Sequence, residues 1–116
     1  MSGHPDIPDA LLSVATHRDD DTIRVVLSGE IDMTTADKFE TAMDTAAGQN
    51  PRSVVVDLAD VRFMDSSGIA ALVHARTRSE ISGTVLTVIN CQPPIRRVME
   101  VTGVYTALTE RPPTSR

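Results

Sequence analysis

Apolar and polar positions alternate along residues 22–31. Ile23, Val25 and Leu27 fall on one side, and Arg24, Val26 and Ser28 on the other. A period of two predicts a half-buried strand. Leu11–His17 predicts a strand before it, and Arg18-Asp19-Asp20-Asp21 is a polar turn that makes the pair a hairpin. The period then changes. Ala36, Phe39, Met43 and Ala46 or Ala47 recur every three or four residues, which predicts a helix to about Ala47 with one buried stripe. Thr34 and Asp37 stand at capping-box spacing before it, and Gly48 is its expected C-cap. Val54-Val55-Val56-Asp57-Leu58 is a nearly continuous β-branched run, as expected of a central parallel strand covered on both faces. Ile69, Leu72, Val73 and Arg76 follow helical spacing up to Ser82-Gly83, and Val85–Ile89 reads as a further buried strand. Pro93-Pro94 opens a third helix, with Ile95, Val98, Met99 and Thr102 on one face and Gly103 as its stop. Val104–Leu108 is expected to add a short edge strand.

The order β-β-α-β-α-β-α predicts an α/β domain. Its sheet should be mixed and mostly parallel, with four to five strands and about three helices. The domain is expected over residues 11–108. Residues 1–10 read as a flexible lead and 109–116 as a disordered tail.

Composition narrows the function. Hydrophobic residues make up 41% of the 116, enough for a core without metals or disulfides. Aromatics are only 3%, and the net charge is -5 with 11 basic residues, which argues against nucleic-acid binding through phosphate contacts or base stacking. No apolar run approaches the roughly 18 residues of a membrane span. The first ten residues have neither the basic start nor the apolar stretch of a signal peptide. Cys91 is the single cysteine, so no intrachain disulfide forms, and a buried or inert thiol is expected. These features predict a cytoplasmic protein without membrane insertion.

The densest chemistry lies in Phe63-Met64-Asp65-Ser66-Ser67-Gly68, between a predicted strand and a predicted helix. In open α/β sheets, sites gather at the carboxyl ends of the parallel strands. The Asp32-Met33-Thr34 turn also follows a strand, so both segments should share that edge. A serine at a helix start is a cap, a nucleophile or a phosphoacceptor. A nucleophile needs a base within reach. The G-x-S-x-G elbow is absent, and His74 is seven residues beyond Ser67, about 10 Å along a helix axis at the usual rise. His4, His17, His74 and Cys91 share no metal-ligand spacing, and neither the dinucleotide glycine fingerprint nor the Walker A loop is present. No catalytic residue, metal or cofactor is therefore assigned. Arg76, Arg78, Arg96 and Arg97 are equally consistent with a basic patch and with a solvated helix surface. A phosphoacceptor needs no base of its own, because a kinase supplies base, metal and ATP. Asp65 as N-cap would bind the N–H of Ser67 or Gly68 and hold Ser67 at the second helical position. Gly68, having no side chain, would let another protein approach. A plain helix start decorated by serines remains the alternative.

Residues 54–69, Val-Val-Val-Asp-Leu-Ala-Asp-Val-Arg-Phe-Met-Asp-Ser-Ser-Gly-Ile, resemble the central motif of the STAS family, the sulfate-transporter and anti-sigma-factor-antagonist domains. Gly29-Glu30-Ile31-Asp32 is similar to the family's upstream signature, and Ile95–Val104 to its C-terminal helix. The resemblance spans roughly residues 11–108, and Asp65-Ser66-Ser67-Gly68 is its specific part. A stand-alone chain with this element resembles a bacterial anti-sigma factor antagonist. The resemblance implies a non-enzymatic protein that binds an anti-sigma factor serine kinase and so frees the sigma factor. Phosphorylation of the second serine, Ser67, would break the complex, and a serine phosphatase would restore it. Asp32, Thr34, Asp65, Ser66, Ser67 and Gly68 would form the partner-facing site. Ala70-Ala71 stands where many relatives carry Gly and a larger apolar residue, which bears on partner identity. A STAS subunit clamping a membrane transporter complex is the alternative implied by the family, and nucleotide binding by the domain is a third.

Overall fold

The computed structural model describes residues 11–110. Strand β1 (Leu12–Asp19) pairs antiparallel with β2 (Thr22–Ile31) across a tight turn at Asp20-Asp21, with Asp20 in the left-handed region at φ 60°. Aspartate tolerates that conformation better than most residues. Helix α1 (Ala36–Ala47) follows, then β3 (Ser53–Met64), α2 (Ser66–Ile81), β4 (Val85–Ile89), α3 (Pro93–Val101) and α4 (Tyr105–Thr109). The sheet order is β1-β2-β3-β4, with β2, β3 and β4 parallel. This is the expected mixed, mostly parallel sheet, here with four strands and four helices.

Buried side chains explain the arrangement. Ile23, Val25 and Leu27 of β2, Val54, Val56 and Leu58 of β3, and Leu86 and Val88 of β4 lie on one face of the sheet. Phe39 and Met43 of α1, Ile69 and Leu72 of α2, Ile95 and Met99 of α3, and Leu108 of α4 join them in one core. The β-branched run of β3 is central and parallel to both neighbours, as expected, but it is not covered by helices on both faces. Val55 is only half-buried, between exposed Arg24 and half-buried Thr87 on the adjoining strands. The continuous β-branched run masked a strand with one open face.

Two elements differ from their expectation. Strand β3 runs six residues past Leu58, to Met64, where it pairs only with β2. The ladder shifts register between Val26 and Ser28 and again between Gly29 and Glu30, each time with an extra residue on β3, so the alternation of β3 is broken there. Gly29 sits at φ 116°, and a Cβ on it would come within 2.1 Å of the Leu11 carbonyl oxygen. The residues after Gly103 form α4 and not an edge strand. The Val104 N–H returns to the Met99 carbonyl at 2.9 Å, reversing the chain, and Leu108 then reaches the core one turn later. Val104, Tyr105 and Leu108 fit a helical stripe as well as a strand, and β-branched and aromatic content pointed the wrong way. The expected lead over residues 1–10 and most of the expected tail lie outside the described residues; Thr109 closes α4.

Asp57 is buried on the open face of β3. Its carboxylate accepts from Arg24 at 2.5 Å, from the Asn90 amide at 3.2 Å and from the Ala59 N–H at 3.0 Å. Burial pushes this carboxyl up, but the three donors and the charge on Arg24 outweigh it, and its pKa lies below the ordinary value. A depressed folded-state pKa adds stability that is present above the unfolded pKa and lost as pH falls through the folded one.

Two outcomes are expected. Asp57→Asn should destabilise the fold by about 1.5–3 kcal/mol at neutral pH, the range for hydrogen bonds to a charged group. Its deficit should begin to shrink as pH falls below the ordinary carboxylate value of about 4, and continue to shrink as pH falls through the lower folded-state pKa; urea melts at pH 7 and pH 3 measure both. Gly68 packs where a Cβ would meet Met64 Cγ at 2.6 Å, the Ile31 carbonyl at 2.8 Å and Ile31 Cγ2 at 3.0 Å. Gly68→Ala should therefore cost about 1–3 kcal/mol through overpacking, despite the better helix propensity of alanine, as a thermal melt would register.

Candidate functional site

Two strand ends build the site. Ile31 at the end of β2 pairs with Met64 at the end of β3, and the Asp65 N–H donates to the Ile31 carbonyl at 3.2 Å. The turn after β2 and the start of α2 are thus side by side, as their positions after parallel strands require. Asp65 is the N-cap of α2, with extended backbone and a carboxylate oxygen that accepts from the Ser67 N–H at 2.9 Å and the Gly68 N–H at 3.3 Å. The cap sets the direction in which the first turn leaves the strand.

Ser67 is half-buried at the second helical position, and Ser66 beside it is exposed. Among the described residues, neither hydroxyl makes a hydrogen bond. Both lie at the amino end of a sixteen-residue helix, where unpaired N–H groups and the helix dipole favour negative charge. Gly68 is buried. Its lack of a side chain lets α2 seat against Ile31 and Met64, so the expected role of opening space for another protein is replaced by internal packing.

The turn after β2 is held by its own polar groups. Asp32 accepts from the Thr34 N–H at 2.9 Å and the Thr34 hydroxyl at 2.7 Å. The buried Thr35 hydroxyl donates to the Glu30 carbonyl at 2.9 Å and accepts from the Asp32 N–H, also at 2.9 Å. Thr34 and Asp37 do not form the expected capping box: the Thr34 hydroxyl is engaged with Asp32, and Thr35, the N-cap of α1, makes no side-chain cap bond because its hydroxyl is held by Glu30 and Asp32. The Thr34 hydroxyl is the main cause that holds Asp32 below the usual carboxylate range; slight burial opposes it, and the Thr34 and Thr35 N–H groups add to it. Asp32 is therefore an anion at neutral pH, beside the cap of α2.

The expected residues Asp32, Thr34, Asp65, Ser66 and Ser67 are brought to one edge. Two further residues there escaped the sequence reading. Met33 is 78% exposed and Phe63 is 49% exposed. The signal at Phe63 was an apolar side chain out of phase with buried Met64; Met33 lies in the turn after β2, where no strand period applies. His74 is exposed on α2. Three of the four arginines are paired: Arg76 with Glu80, Arg78 with Glu40 and Asp44, and Arg96 with Glu100 and over the Tyr105 ring; Arg97 is exposed, with no ion pair among the described residues. They do not pool into a free basic patch. Cys91 is half-buried, 3.8 Å from the Met99 sulfur, and burial pushes its thiol pKa up. Among the described residues, no group of three His, Cys, Asp or Glu side chains is placed to hold a metal, and no helix is long and apolar enough to cross a membrane.

Known proteins resemble this chain in sequence and in fold. The anti-sigma F factor antagonist of Paenibacillus polymyxa is 30% identical over 82 residues, covering 70% of each chain. The crystal structure of an anti-sigma factor antagonist from Mycobacterium paratuberculosis superimposes with a TM-score of 0.76 at 28% identity, covering 84% of this chain and 82% of that one. SpoIIAA of Bacillus shares the fold in both its unphosphorylated and phosphorylated forms, with TM-scores of 0.72 and 0.66 at 20% identity; each match covers 84% of this chain, and 86% and 89% of those chains. The STAS domain pattern matches residues 13–112, and the chain belongs to the STAS domain family.

Proposed function

We propose that this protein is a cytoplasmic anti-sigma factor antagonist switched at Ser67. It binds an anti-sigma factor that is also a serine kinase, and the sigma factor is released. The kinase phosphorylates Ser67 and the complex dissociates. A serine phosphatase removes the phosphate and restores binding. The protein performs no chemistry of its own.

The observation that carries this reading is the capped start of α2. Asp65 fixes the backbone of Ser67, whose hydroxyl has no hydrogen-bond partner among the described residues. A nucleophile would need an adjacent base, and no histidine lies in the segment. A phosphoacceptor needs only a positioned hydroxyl at the surface. The similarity to proteins named as anti-sigma factor antagonists supports the same reading.

Charge explains why phosphate acts on the interface and not on the fold. Phosphorylation adds about -1.5 to -2 charges at neutral pH. At a helix amino end that charge is favoured by about 0.3–1 kcal/mol. Across an interface, one opposed unit charge at about 4 Å costs roughly 4 kcal/mol at an effective dielectric near 20. That is about three orders of magnitude in affinity. Asp32 and Asp65 already make the edge acidic, so the added charge deepens an existing repulsion.

Ser67→Ala should bind the kinase and remain unmodified in the presence of ATP. Ser67→Asp should stay folded and lose binding by at least tenfold, since one carboxylate carries about half the charge of phosphate. Titration calorimetry with the purified kinase and phosphate mapping by mass spectrometry measure these outcomes. Phosphate on another residue, with Ser67 unmodified, would contradict the proposal.

A further inference from the structure

Side chains two apart on a strand share a face. Met64 and Ile31 point into the core. Their neighbours Phe63, Asp65, Glu30 and Asp32 therefore lie on the other side, where Phe63 stands directly across from Glu30. Met33 follows in the turn, three residues beyond Glu30. The site edge thus carries an apolar pair set among carboxylates, with exposed Arg62 4.0 Å from Glu30 as the adjoining cation.

That composition constrains how a kinase could hold this surface. A kinase facing Ser67 must bring nucleotide phosphates and an acidic base to the hydroxyl. Those groups repel Asp32 and Asp65, so charge attraction at the serine cannot supply the affinity of the unphosphorylated state. Burial of large apolar side chains can, and a few such anchors commonly dominate an interface. Phe63 and Met33 are the most exposed large apolar side chains on this edge; Leu11, 39% exposed, sits just before β1, whose Leu12 pairs with Gly29. The other strongly exposed ones, Ile81 and Val101, end α2 and α3, both of which start at the carboxyl edge of the strands and run to the opposite one.

Resting on the function proposed above, we infer that Phe63 and Met33 are the affinity anchors of the complex with the anti-sigma factor kinase. They seat in an apolar hollow of that partner, beside its nucleotide site. Apolar anchoring holds the complex against a standing repulsion, and the phosphate on Ser67 tips that balance. Burial of the anchors sets the lifetime of the complex, so their loss acts on dissociation more than on association. Screening weakens only the repulsion, so affinity should hold or rise with salt.

The probe is the purified anti-sigma factor kinase from the source organism that phosphorylates the wild-type chain. Surface plasmon resonance would compare wild type, Phe63→Ala, Met33→Ala, Phe63→Leu and Val101→Ala. Phe63→Ala should weaken binding by tenfold or more through faster dissociation, and Met33→Ala by about threefold or more. Phe63→Leu should recover most of the loss, and Val101→Ala should match wild type. All are surface changes, and thermal melts should stay close to wild type. If wild type binds and is phosphorylated while both alanine variants bind within twofold of it, the inference falls and the function stands. Equal loss in Val101→Ala overturns it too, as does affinity that collapses with salt. A wild-type dimer that Phe63→Ala dissociates, with kinase binding unchanged, would assign the patch to a second copy and overturn the inference. If no such kinase binds or phosphorylates the wild type, the functional proposal and this inference fall together.

Discussion

The Asp65 carboxylate accepts two amide N–H groups from the first turn of α2, while its own N–H donates to the Ile31 carbonyl at the end of β2. One residue thereby joins the parallel strand pair to the helix that follows. An N-cap of this kind contributes about 0.5–2 kcal/mol. Its larger consequence is geometric. The cap aims the helix amino end out of the sheet edge, and Ser67 leaves the strand with a fixed backbone. Gly68 completes the joint, because only a residue without a Cβ lets α2 approach Ile31 and Met64. The Asp32 turn then stands alongside with its carboxylate held as an anion by Thr34.

Much of this was legible in the chain. The alternation of Ile23, Val25 and Leu27 against Arg24 and Ser28 located β2 to the residue, since its burial follows the same parity. Asp65-Ser66-Ser67-Gly68 was recognisable as a capped helix start because aspartate, serine and glycine meet there after a β-branched run. Three features were hidden. Continuation of β3 to Met64 was obscured by bulges, which break the period that sequence reading relies on. Helix α4 was hidden because Val104 and Tyr105 prefer strands locally, while the chain reversal at Gly103 and burial of Leu108 decide the matter. The reason for Gly68 lay in a contact with Ile31, 37 positions away, which no local pattern encodes.

The open face of the sheet is stabilised differently from the helical side. Asp57 is buried there without a helix over it, and Arg24, Asn90 and Ala59 satisfy its carboxylate from both neighbouring strands and from β3 itself. This polar cluster ties β2, β3 and the end of β4 together on the side the core does not reach. The site edge thus rests on a sheet braced from both faces, so a charge added at Ser67 meets a rigid support. A rigid support is what allows a local charge to change an interface without reorganising the domain.

The central claim is that Ser67 phosphate changes what the protein binds and not how it is folded. The most direct measurement pairs amide NMR spectra of the Ser67-phosphorylated and unmodified proteins with the affinity of each for the kinase. The account predicts shifts confined to residues 30–35 and 63–70, with an affinity loss of about a thousandfold. Shifts spread through α3, α4 and the strand cores, or an unchanged affinity, would contradict it.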